Sequence, residues 1–251
     1  AGGQPLPEKA VLLTFDDGYR SFYDIVFPLL KLYDFPAVQA VVGSWLDVPA
    51  GGQVPYGKIN LPRERFLSWE QVKTLDESPL VEIASHTYNL HYGAVGNPMG
   101  NEQAAAVTSI WNAGNGYESE ADYIERIRND MARTQQQFQE KIGKGPRVMV
   151  WPYGAYSEAT LNIASEYGMK YTFSLLGEPN RLNDSMRSMN RFLIDQETTL
   201  ETIEEILSNR LWETEEQRIV HVDLDYVYDP DPIQQEQNLD RLIERISRYG
   251  V

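Results

Sequence analysis

The chain has 251 residues, which suits a single α/β barrel better than two ordinary domains. Its 22 Lys and Arg against 37 Asp and Glu give a net charge of −15, a balance that repels phosphate backbones and argues against nucleic acid as a partner. It contains no cysteine and three histidines, His86, His91 and His221. Disulfides, thiol nucleophiles and cysteine-based zinc sites are thereby excluded, and any metal or acid–base chemistry falls to those histidines and the carboxylates.

The apolar run Ala10–Phe15 reads as a strand ending in Asp16-Asp17-Gly18. Apolar residues at helical spacing follow from Phe22 to Tyr33, and Pro28 inside that pattern predicts a kink or a late helix start. Ala37–Val42 reads as a second strand, and Gly43–Pro62, rich in Gly and Pro, as a long loop. Ser68 and Gln71 fit a capping box for a helix carrying Val72 and Leu75. Leu80–Ala84 is a third strand that runs into Ser85-His86. Gly93–Gly116 reads as another long loop, and such loops in compact domains are commonly functional. Ile124, Ile127, Met131, Phe138 and Ile142 form the core stripe of a long helix, ended by Gly143-Lys144-Gly145-Pro146.

A strand over Arg147–Trp151 follows, then a helix from the N-cap Ser157 through Tyr167, and strands over Tyr171–Leu175 and Arg191–Ile194. Thr198 and Glu201 predict a capping box for the next helix. Ile219–Leu224 reads as a strand, and Leu239, Leu242, Ile243 and Ile246 mark a last helix. Repeated β–α units imply a parallel sheet, and six or seven of them a barrel with active residues at the C-terminal ends of its strands. No apolar run approaches the roughly 18 residues of a membrane span. The chain begins at Ala1 without a signal peptide, which reads as a mature or cut product and leaves the compartment open. Residues 197–251 hold 14 of the 37 acidic side chains and 5 of the 22 basic ones. A solvated surface accounts for that; a guide for a cationic ligand is the sharper reading.

Three strand ends carry the chemistry. Adjacent carboxylates at Asp16-Asp17 are costly unless a cation accompanies them, and their side chains diverge, so one can bind a metal while the other acts as a base. Asp-Gly is also a common turn pair. His86 and His91 lie five apart in Ser85-His86-Thr87-Tyr88-Asn89-Leu90-His91, where a loop can bring both imidazoles to one point, and neutral imidazole is a frequent metal ligand. Two unrelated loop histidines are the alternative. At Trp151-Pro152-Tyr153-Gly154 a rigid turn can aim a backbone N–H into a cleft, or can simply end a strand. One carboxylate and two histidines together make a three-ligand set with open positions, suited to a catalytic divalent metal.

Thr-Phe-Asp-Asp-Gly at 14–18, His-Thr-x-x-x-His at 86–91 and Trp-Pro-Tyr-Gly at 151–154 resemble the NodB-like polysaccharide deacetylases, carbohydrate esterase family 4, over roughly residues 8–218. Within it, Gly43–Asp47, Asn89–Gly93, Val150–Gly154 and His221–Pro232 resemble the branch that acts on poly-β-1,6-N-acetylglucosamine in Gram-negative biofilm systems. The resemblance implies a deformed (β/α)7 barrel, truncated at both ends, over residues 1–218, with 219–251 opening a truncated glycoside-hydrolase-like domain. It implies Asp16 as general base, Asp17, His86 and His91 as ligands of one divalent metal, and Tyr153 as the oxyanion donor through its N–H. Trp151, Pro152 and Tyr153 would line the sugar site. Zn²⁺ fits those ligands, and Ni²⁺, Co²⁺ and Fe²⁺ accept the same donors.

Two departures stand out. The third motif lacks the arginine that orients the base in many members; Arg191, grouped here with the substrate-contacting residues, is a candidate for that guanidinium, although a surface position is the reading favoured. The family's acid histidine is matched only superficially by Ile219-Val220-His221, and a strand histidine of the second domain is the plainer reading of His221. The implied function is N-deacetylation of that polymer for biofilm maturation and export, by a periplasmic, lipid-anchored full-length protein that works with an outer-membrane porin. A polymer-binding fragment with little or no turnover, and a deacetylase of chitin or peptidoglycan, are the alternatives.

Overall fold

The first strand, β1 (Val11–Phe15), is apolar and almost wholly buried in a computed structural model that describes residues 10–181, 184–208 and, by backbone alone, 216–222. Beyond the Asp16–Gly18 turn, a π-helical turn over Phe22–Val26 passes into α1 (Phe27–Tyr33). Pro28 lies in the first turn of α1, where its missing N–H costs nothing, so the expected late start is what forms. Next comes β2 (Ala37–Val41), buried throughout.

The segment 43–62 is more ordered than its Gly and Pro content suggests. It contains a helical turn, α2 (Gly43–Leu46), and a hairpin of β3 (Gln53–Tyr56) and β4 (Ile59–Pro62). Ser68 and Gln71 form the expected capping box at the head of α3 (Trp69–Asp76): Gln71 N–H donates to Ser68 Oγ at 3.2 Å, and Ser68 N–H to Gln71 Oε1 at 2.9 Å. Beyond α3 runs β5 (Val81–Ser85), one residue later than expected.

The second expected loop holds two small hairpins, β6 (Gly93–Val95) with β7 (Glu102–Ala104), and β8 (Trp111–Asn112) with β9 (Gly116–Tyr117). Arg126 ties that region together. It pairs with Glu118 at 2.8 Å and donates to the carbonyls of Ala105 at 3.0 Å and Thr108 at 2.8 Å. Arg126 belongs to α4 (Glu120–Ile142), whose Ile127, Met131 and Phe138 are buried as the stripe predicts.

There follow β10 (Val148–Val150), α5 (Glu158–Glu166), β11 (Tyr171–Phe173), β12 (Asn180–Arg181), β13 (Phe192–Ile194), α6 (Leu200–Ser208) and β14 (Glu216–Val222). The cap of α6 differs from expectation by one residue. Thr199 Oγ1 accepts from Thr202 N–H at 3.1 Å, while Thr198 Oγ1 is turned back to Asp195 at 2.8 Å.

The sheet order is β11-β10-β5-β2-β1-β14-β12, with β13 also on β14. Every pairing along it is parallel except that of β12 with β14. The chain from Met189 to Ile194 reaches both sides: Met189 bridges Phe173 in β11, and β13 pairs with β14. The sheet therefore curls round, in agreement with the deformed (β/α)7 barrel that the family resemblance implies. Strand β14 runs across the domain boundary expected at 218/219, with Leu12 opposite Ile219 and Thr14 opposite His221. The side chain of His221 and the helix expected around 239–246 lie outside the described residues. No described helix is long and apolar enough to cross a membrane.

Candidate active site

Parallel strands present their C-terminal ends on one face of a barrel, and all three motifs arrive there. Asp17 leaves β1 with a positive φ of 70°, a conformation that costs a non-glycine residue energy and turns its side chain away from that of Asp16. The two carboxylates consequently meet different neighbours.

Asp17 faces the histidines. Its Oδ1 lies 3.4 Å from His86 Nε2 and 3.2 Å from His91 Nε2. That oxygen is buried and makes no hydrogen bond within the described residues. One ligand atom from each of Asp17, His86 and His91 falls within 4.8 Å of the other two, the arrangement a metal ion needs. Burial pushes the Asp17 carboxyl up, but the imidazoles of His91 and His86 outweigh it and hold the group well below the usual carboxylate range. Burial pushes His86 down, and Asp16 and Asp17 together raise it above its ordinary value. His86 Nδ1 lies 2.7 Å from the carbonyl oxygen of Val150. A carbonyl only accepts, so Nδ1 carries the proton and Nε2 is left with a lone pair toward Asp17.

Asp16 faces the barrel interior, where Arg191 meets it with two parallel bonds, Nη1 to Oδ1 at 2.9 Å and Nη2 to Oδ2 at 3.0 Å. Arg191 is 0 % exposed and also donates to Thr14 Oγ1 at 3.0 Å and the Ser174 carbonyl at 2.8 Å. The favoured surface reading of Arg191 is therefore wrong, and so is its grouping with substrate contacts. A fully desolvated guanidinium is stable only because a carboxylate and neutral acceptors consume its donors. It does the other job considered for it, orienting Asp16. The far oxygen of Asp16 stands 3.9 Å from His86 Nε2, which puts the carboxylate at the edge of the triad without making it a member.

The third motif divides likewise. Trp151, expected to line a sugar site, is 0 % exposed; its indole N–H donates to Thr172 Oγ1 at 3.1 Å and its rings pack in the core with Met149 and Ile163. It stands as a buried wall behind the site rather than on its surface. Pro152 is buried as well. Tyr153 alone emerges, 49 % exposed, with φ at 58° and its ring 4.8 Å from that of His91. Gly154 makes this turn possible: at its φ of 67°, a Cβ would stand 2.5 Å from the Leu175 nitrogen. Beside Tyr153 opens a cleft of about 390 Å³, walled by Lys58, Tyr92 and Glu102.

Two residues of the site escape sequence reasoning. Tyr56, in the hairpin expected to be a loop, donates its O–H to Asp17 Oδ2 at 3.0 Å. Asp130 of α4 accepts from Tyr88 N–H at 2.9 Å and Asn89 N–H at 2.7 Å, and so grips the loop between the two histidines, where Thr87 takes a φ of 69°. Burial raises the Asp130 carboxyl to about 6, against the pull of those two bonds and of Arg126. Its signal was available: Asp130 sits among Ile127, Met131 and Thr134 on the buried stripe, where a carboxylate needs a reason.

Residues 3–172 match the family described as polysaccharide deacetylase. The chain belongs to that family. A solved de-N-acetylase from Aggregatibacter actinomycetemcomitans is 45 % identical at a TM-score of 0.75, the match covering 81 % of this chain and 77 % of that one. The BpsB deacetylase domain from Bordetella bronchiseptica is 36 % identical at a TM-score of 0.72, over 88 % and 75 % of the two chains. The poly-β-1,6-N-acetyl-D-glucosamine N-deacetylase of Escherichia coli K12 is 43 % identical over 98 % of this chain and 36 % of its own length, so this chain spans about a third of that relative. Residues 221–251 match a second family, hypothetical glycosyl hydrolase family 13.

Proposed function

We propose that this chain hydrolyses N-acetyl groups on a β-1,6-linked N-acetylglucosamine polymer, using a divalent metal held by Asp17, His86 and His91. The observation that carries the reading is the division of labour between adjacent aspartates: one bound by a buried guanidinium, the other leaving an unbonded oxygen among two imidazole nitrogens. The likeness to N-deacetylases supports the reaction class, and the Escherichia coli relative supports the polymer.

A metal bound there supplies Lewis acidity, polarising an acetyl carbonyl and lowering the pKa of a water. Arg191 fixes Asp16 in orientation, which leaves Asp16 placed to accept a proton from the attacking water. The Tyr153 N–H, on a turn fixed by Pro152 and Gly154, is the proposed donor to the carbonyl oxygen as it gains negative charge. Tyr153 presents its ring to the sugar. The C–N bond breaks, the proton taken by Asp16 passes to the departing amine, and acetic acid leaves and ionises to acetate.

Zn²⁺ is the metal proposed, from one carboxylate and two imidazoles. The resemblance in sequence carries three further proposals: a periplasmic, lipid-anchored full-length protein, a hydrolase-like second domain beginning near residue 219, and an outer-membrane export porin as partner. The central test is acetate release from β-1,6 and β-1,4 N-acetylglucosamine oligomers with Zn²⁺ added. Release from the β-1,6 series, abolished by Asp16→Asn, is expected. Equal or faster release from the β-1,4 series would reject the polymer assignment, and tight binding without release would reject the enzyme.

A further inference from the structure

We infer that Tyr56 is a positioning residue for Asp17, and that through it the β3–β4 hairpin sets how tightly the site holds a metal. The inference rests on the reading of Asp17, His86 and His91 as ligands. The two oxygens of Asp17 have separate surroundings. Oδ1 is buried, unbonded, and 3.2 and 3.4 Å from the two Nε2 atoms. Oδ2 accepts the Tyr56 O–H at 3.0 Å. A phenol donating to one oxygen leaves the other as the ligand, so Asp17 is prepared to bind through a single oxygen rather than to clamp with both.

Tyr56 cannot easily swing away. Its ring stacks on that of His91, with centroids 6.1 Å apart and planes at 22°, and is flanked by Trp45 at 5.4 Å and Tyr19 at 6.1 Å. The same side chain therefore bonds one ligand and backs another. The hairpin beneath it is anchored by Val54, which is buried, and by Arg63 just past β4. The Arg63 guanidinium donates to the carbonyls of Leu46, Val48, Phe66 and Leu67 at 2.8–3.0 Å. Each ligand thus has its own outer partner: the Val150 carbonyl for His86, the Tyr153 hydroxyl for His91 at 3.4 Å, and the Tyr56 hydroxyl for Asp17. Partners of this kind change metal affinity by about 10–100-fold when removed.

The experiment compares wild type with Tyr56→Phe, which keeps the ring and its stacking and removes only the O–H. Zn²⁺ affinity is measured by competition with a chromophoric chelator, with no glycan present, and the melting temperature of the metal-free protein is recorded alongside. The expected result is an affinity loss of about 10–100-fold, with the metal-free melting temperature unchanged. Zn²⁺ affinity within twofold of wild type would overturn the inference and leave the ligand triad standing. Failure of wild type to bind Zn²⁺ would overturn both. Should Tyr56→Phe fold poorly, Tyr56→Met, which carries no hydrogen-bond donor, is expected to lose affinity in the same direction; wild-type affinity there would also count against the role.

Discussion

Asp16 and Asp17 are chemically identical neighbours on one turn, yet their surroundings have opposite logic. Around Asp16 every oxygen is answered by a fixed cation, in a pocket built of barrel strands. Around Asp17 one oxygen is answered by a phenol from a hairpin, and the other is left open between two imidazoles held by a loop. A satisfied carboxylate is suited to hold its orientation and exchange a proton; an unsatisfied one invites a cation. The positive φ at Asp17 is what separates the two, and the divergence expected of adjacent residues on an extended segment is here made by a turn.

The largest effect that can break this contrast is expected from Asp16→Asn. Loss of a general base should lower kcat by about 10²–10⁴-fold while Zn²⁺ affinity stays at the wild-type value, read by acetate release and by chelator competition. A parallel loss of affinity would mean that the two aspartates do not divide the work. Arg191→Met comes next. It leaves a buried carboxylate without its partner, which should cost about 3–5 kcal/mol of folding stability, measured by urea denaturation, and deacetylation should fall with it.

Asp130→Asn sharpens the other side, since it keeps the size of the clamp on the histidine loop and removes its charge. An amide nitrogen cannot accept, so one of the Tyr88 and Asn89 N–H groups loses its partner; that should cost about 1–3 kcal/mol, and Zn²⁺ affinity should fall with it. The pH dependence gives a separate check. Because burial raises Asp130 to about 6, the folded chain binds a proton there before the unfolded chain does. Stability from this group rises as pH falls from about 6 toward the ordinary carboxylate range. That increment should vanish in Asp130→Asn when urea midpoints are compared between pH 7 and 4. The smallest effect is expected from Tyr153→Phe, which removes a 3.4 Å contact on a half-exposed ring and should reduce Zn²⁺ affinity less than Tyr56→Phe does.

The strand ends bearing Asp16, Asp17, His86, His91 and Tyr153 were legible because hydrophobic runs stop abruptly at residues with no packing role. The capping box at Ser68 was equally plain. Tyr56 was not, because Pro55 within the Gln53–Tyr56 alternation argues against a strand; it is tolerated here in a two-stranded ribbon away from the main sheet. Arg191 misled for a general reason: arginine is rarely fully buried unless paired, and its pairing residue lies at the other end of the chain. Trp151 misled because exposure at a strand end looks the same in sequence as an inward turn. At α6, Thr198-Thr199 offers two adjacent caps, and composition cannot choose between them.

The pair formed by Asp16 and Arg191 spans 175 positions of sequence. Contacts so distant form only once the intervening chain has been laid down, and they carry a high entropic cost until then. Arg191 lies immediately before β13, so on the proposed reading the base is oriented only once the chain has reached that strand. The orientation of the proposed base thus depends on two distant parts of the chain having met.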